Sequence, residues 1–191
     1  MSDSVNSTPT TRRLEEQIRD IKLVKTLLRY VLHDYYPAIN WKPYGIFHGD
    51  TDNSPCCVTI KSAIKLHLDT YGGDIHEFYD EDFTQKDGIG DRCHSEVLEY
   101  VKDDFEMKPF EFSKFLNYFC MSAEYAALSY LYGVKRAPLI TLQILCTTMR
   151  EMREYGIITE DFWNDFEKFC ENFVQTERRR GFGRKDGNSN R

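Results

Sequence analysis

One segment constrains this chain more than any other. From Phe112 to Tyr132 (FSKFLNYFCMSAEYAALSYLY) apolar and small residues run almost all the way round a helical wheel, with Lys114 and Glu124 as the formal charges. A helix that is hydrophobic on every side has to be surrounded, either by lipid or by other helices. Lipid is excluded, because the apolar stretches are interrupted by polar residues well before bilayer length. The segment therefore predicts the centre of a helical bundle.

The flanking sequence supplies helices to surround it. Ile18, Ile21, Val24, Leu28, Val31 and Tyr35 recur at steps of three and four, and Pro37 stops the run. Ser54-Pro55 offers an N-cap and a first-turn proline, after which Ile64, Leu68, Tyr71, Ile75 and Tyr79 form a second amphipathic stripe reaching about Phe83. The segment TQKDGIGD then punctuates the chain, and Val97, Leu98, Val101 and Phe105 mark a shorter helix. Pro109 opens the central helix, and Gly133 closes it. Ala137-Pro138 begins a further helix stopped at Gly156, and Thr159 caps a last one through Trp163, Phe166, Phe169 and Phe173. No alternating strand pattern of useful length occurs. The expected fold is all-α, a bundle of about six to eight helices around a hydrophobic central helix. Residues 1–13 read as a flexible leader, 14–176 as the helical domain and 177–191 as a disordered basic tail.

Composition narrows the function. The net charge is −6 over 191 residues. The last fifteen residues hold six basic and two acidic side chains, so the rest of the chain carries −10. An acidic body argues against nucleic acid as a partner. The opening residues lack the apolar middle of a secretory signal, so a cytoplasmic chain is expected. Six cysteines without a CxxC pair read as reduced thiols there. No HExxH, GxSxG, phosphate-loop or EF-hand pattern is present, and the five histidines are scattered. Glu77, Asp80, Glu81 and Asp82 read as a solvated helix face. No catalytic residue, cofactor or metal is expected.

The second helix contains an anomaly, the pair Gly72-Gly73, since each glycine inside a helix costs about 1 kcal/mol relative to alanine. Either the helix breaks there or a neighbouring helix approaches too closely for a β-carbon. Leu68 and Ile75 bracket the small site, and Asp74 follows it. At these residues the chain resembles the Bcl-2 family of apoptosis regulators. LDTYGGDIHEFYDEDF, Leu68 to Phe83, is similar to the family's third homology motif through Leu68, Gly72 and Asp74, with Gly73 in place of the usual first aspartate. RDIKLVKTLLRYVLHDYYPAINW resembles the N-terminal motif, and FWNDFEKF the second motif through Trp163 and Phe166, without its glycine pair. The first motif is altered to Glu111, Phe112, Ser113 and Lys114, so that lysine stands for the family's arginine.

The resemblance, over residues 18 to 173, implies a surface groove that takes the amphipathic third-motif helix of a pro-apoptotic partner. By position the groove is expected from Tyr79 and Phe83, Val97 and Val101, and Phe112, Lys114, Asn117, Tyr118 and Met121. It implies regulation of apoptosis, with a pro-survival direction expected, in the cytoplasm or at the mitochondrial outer membrane. A homodimer is a further expectation, and membrane attachment is expected only through an anchor removed from this sequence or supplied separately. The competing readings are a protein of the same fold that blocks innate-immune signalling, a pro-apoptotic multi-motif member, and an unrecognised helical enzyme.

Overall fold

The computed structural model describes residues 9–49, 54–84, 86, 88–107 and 109–185. These residues are helical, with no strand among them. The six α-helices are α1 (Pro9–Arg29), α2 (Val58–Asp82), α3 (Asp91–Glu106), α4 (Phe112–Leu131), α5 (Ala137–Glu154) and α6 (Phe162–Lys185). The all-α bundle is thus the observed architecture.

Helix α4 is the core element. Phe115, Leu116, Phe119, Cys120, Ala123, Tyr125, Ala126 and Ala127 are all buried, and α1, α2, α3 and α5 pack round it. On α1, Val24 and Leu28 are completely buried, and the helix widens into a π-helical turn at Tyr30–Tyr35 before Pro37. The proline lacks an N–H for continuation. Trp41 follows, buried against Tyr44 and Phe47. On α6, Phe162, Phe166, Phe169 and Phe173 form an aromatic stripe at steps of four, three and four. The first three rings engage Phe110, Phe112 and Phe115 at centroid distances of 5.0–5.9 Å, and Phe173 stacks on Phe169 at 6.3 Å.

Several boundaries differ from the sequence reading. Helix α1 begins at Pro9, within the expected leader; residues 1–8 lie outside the described part of the chain. Helix α6 continues through Lys185, past the expected start of the tail at 177; residues 186–191 lie outside the described residues. Glu177, Arg178 and Arg179 are good helix formers, and basic residues suit a helix C-terminus, so nothing stops the helix there. Helix α2 begins at Val58, because Cys57 donates its N–H to the Pro55 carbonyl in a turn. Helix α4 begins at Phe112, not Pro109, and α6 at Phe162, not Thr159. All six cysteines are free; Cys93 is exposed.

Neither explanation of the glycine pair holds for both residues. Helix α2 passes through Gly72-Gly73 unbroken. Gly72 is buried, and a β-carbon there meets Glu124 Oε1 at 3.6 Å and the Tyr36 hydroxyl at 3.9 Å, which is ordinary contact. Around Gly73 nothing lies within 4 Å.

Candidate functional site

The central helix is covered on all sides but one. Ser113, Asn117 and Met121 lie four residues apart on α4, hence on one face, and they form a ridge between two depressions of about 300 Å³ each. One depression is walled by α2 and α6, through His67, Tyr71, Asp74, Ile75, Phe78, Phe169 and Phe173, with Leu116 of α4 beneath. The other is walled by α3, through Val101, Asp104 and Phe105, with Lys114 and Tyr118 of α4. Because both share the same ridge, they form one trough across the first half of α4.

Packing holds the trough in shape. His67 Nε2 lies 3.1 Å from Asn117 Oδ1, a hydrogen bond between α2 and the ridge when Nε2 carries the proton. Burial lowers the His67 pKa, so the imidazole is neutral near pH 7. The Tyr118 ring stacks on Phe105 with centroids 4.6 Å apart and planes at 6°. The Thr148 hydroxyl donates to the Ile144 carbonyl, so Tyr118 donates its hydroxyl to Thr148, at 3.0 Å. At the mouth, Lys114 Nζ donates to Glu111 Oε1 at 2.8 Å and to the Pro109 carbonyl at 3.2 Å. That ammonium holds the Glu111 carboxyl below its ordinary pKa.

Of the residues expected to line a groove, Val101, Lys114, Asn117, Tyr118 and Met121 meet in the trough, and Asp74 of α2 joins them. Tyr79 and Phe83 do not. Tyr79 is completely buried, with its ring edge-on to Tyr125 and its hydroxyl 3.1 Å from Ser129 Oγ, and Phe83 is 3% exposed beside it. They belong to the core because their face of α2 turns toward the second half of α4. Phe112 packs against the α6 rings, and Val97 is half-buried outside the trough. Leu68 is 2% exposed, while Trp163 and Phe166 are buried in the aromatic cluster behind the ridge.

On the α2 wall Tyr71 and Phe78 were missed, as were Phe169 and Phe173 of α6. The signal on α2 was present: Tyr71 and Phe78 are seven apart, one face of a helix, but that face overlaps the broad apolar stripe that includes Ile75 and Tyr79. Periodicity does not say which edge of a wide stripe stays open.

A further depression of about 520 Å³ lies between α1 and the start of α6 and is polar. Arg153 there already binds Asp20 at 2.5 Å and lies 3.8 Å from Glu16, so its charges are satisfied internally. Among the described residues no group of three or more His, Cys, Asp or Glu side chains is placed to hold a metal ion, and no helix is long and apolar enough to cross a membrane. Compared with known proteins, the chain matches no family, no curated protein and no solved structure.

Proposed function

We propose that this protein is a Bcl-2-like, pro-survival regulator of apoptosis that sequesters the amphipathic third-motif helix of pro-apoptotic partners, in the cytoplasm or at the mitochondrial surface. The observation that carries the reading is the open Ser113-Asn117-Met121 stripe of the buried central helix, flanked on both sides by apolar depressions. A ligand helix is about 10 Å across, and apolar side chains at i, i+3, i+4 and i+7 would seat in both depressions astride that ridge. The stripe begins within Glu111-Phe112-Ser113-Lys114, and the α2 wall contains Asp74 of LDTYGGDIHEFYDEDF, so two of the four resembling motifs meet at the trough. Binding, not catalysis, is the proposed activity.

Titration calorimetry against a panel of third-motif peptides tests it, with a peptide lacking the motif leucine and aspartate as control. Saturable binding by some peptides and none by the control is expected. Silence across the panel from a folded sample overturns the reading and favours the innate-signalling inhibitor. Dye-loaded vesicles of mitochondrial outer-membrane composition test direction: the protein alone is expected to release no dye, and release would mark a pore-former.

A further inference from the structure

We infer that the trough selects a cationic amphipathic helix, one that lays a basic side chain against Asp74. This deepens the partner-binding reading above and rests on it. Asp74 lines the depression walled by α2 and α6 and is exposed; among the described residues it forms no ion pair. Tyr71 and Phe78, one turn to either side on the same wall, are 37% and 52% exposed. A lysine or arginine laid along that wall gains the carboxylate and the two ring faces together, whereas a glutamate there meets like charge.

The opposite wall does not reverse this preference. Among the described residues of its lining the cation is Lys114, which already donates to Glu111 and to the Pro109 carbonyl. A partner's carboxylate reaches Lys114 only by displacing Glu111, which exchanges one ion pair for another. Beyond the trough Glu77 and Glu81 stand exposed on α2, in a body whose charge is −10 before the basic tail. The field over the trough therefore favours positive charge on the rim of the incoming helix.

Two designed helical peptides supply the test. Both carry the same apolar anchors at i, i+4, i+7 and i+11; one has lysine and the other glutamate at the flanking positions. A scrambled lysine peptide of identical composition controls for plain attraction to an acidic protein. By fluorescence anisotropy in 150 mM salt, at which exposed charges interact over about 8 Å, the lysine peptide is expected to bind at least tenfold tighter than the glutamate peptide. The scrambled peptide should not saturate. Asp74→Lys, at an exposed position, is expected to reverse the order of the two peptides. Equal affinities, saturable binding of the scrambled peptide, or an order unchanged by Asp74→Lys overturn the inference. If the third-motif panel binds while lysine and glutamate peptides do not differ, the charge inference alone fails. If neither the panel nor the designed peptides bind the folded protein, the trough reading fails and takes the inference with it.

Discussion

Oε1 of Glu124, a side chain with no exposed surface on the central helix, lies 2.5 Å from Nε2 of His76 on α2. The Tyr36 hydroxyl donates to the same oxygen at 2.5 Å, and Gly72 lies over the carboxylate, where a β-carbon would stand in ordinary contact with it. Oε2 has no hydrogen-bond partner. The anomalous glycine of the second helix and the lone acid of the central helix are thus two halves of one contact. It pins α2 to the core from behind the trough.

Glu124 should leave a signature in stability against pH. Burial raises its pKa, with Tyr36 and His76 opposing. The folded protein then holds the proton at pH values where the unfolded chain has released it. The group's contribution is fully present below the ordinary carboxylate pKa and is lost as pH rises through the raised value. Glu124→Gln removes this titration. The melting temperature of the variant minus that of wild type is expected to become more positive as pH rises from 4 to 8. A difference that does not change with pH shows that Glu124 does not titrate in this way.

His94 should act in the opposite sense. It is completely buried, with Nδ1 2.8 Å from Ser129 Oγ and Nε2 3.1 Å from Thr141 Oγ1, and burial pushes its pKa down to about 4. Its contribution is present above the unfolded value near 6.5 and is lost as pH falls toward 4, a change of about 3 kcal/mol. In urea unfolding at a series of pH values, His94→Gln is expected to be less stable than wild type at pH 7 and to lose less on acidification. Parallel acid dependence in the two proteins would remove His94 from this role.

The two glycines should respond with opposite signs. Gly73→Ala adds a methyl group in open space and removes a helix-destabilising residue, so it is expected to raise stability by up to about 1 kcal/mol. Gly72→Leu drives a branched side chain toward the Glu124 carboxylate and is expected to cost about 1–3 kcal/mol by overpacking. Thermal melts followed by circular dichroism compare them directly; an unchanged midpoint for Gly72→Leu contradicts the packing at this site.

Binding and stability should separate between ridge and core. Phe115 is 1% exposed within the aromatic cluster, so Phe115→Ala is expected to cost about 3–5 kcal/mol in chemical denaturation. Met121 is half-buried on the ridge, where an arginine can extend toward solvent. Met121→Arg is expected to melt within a few degrees of wild type while reducing peptide affinity more than tenfold in calorimetry. Retained affinity places the ligand elsewhere.

The α-helices were legible because their apolar spacing and proline or glycine stops are local. The ends were less so: Pro9, Pro55 and Pro109 occupy respectively a helix start, a turn and a linker, and proline alone does not distinguish them. In the site, Val101, Lys114, Asn117, Tyr118 and Met121 were expected from the family resemblance, by their positions in it. Tyr79 and Phe83 were misplaced for a rotational reason. A stripe as wide as that of α2 buries one edge and exposes the other, and a small turn about the helix axis decides which.

The sequence by itself determined that the chain is all-helical and that Phe112 to Tyr132 must be enclosed, because those properties depend on periodicity and hydrophobicity along the chain. It also marked Gly72 and Glu124 as exceptions within their helices. That these exceptions meet, and that the face of Ser113, Asn117 and Met121 is the one left open, was decided only by tertiary structure. Both depend on the relative rotation and spacing of α2, α3, α4 and α6, set by packing between residues far apart in sequence.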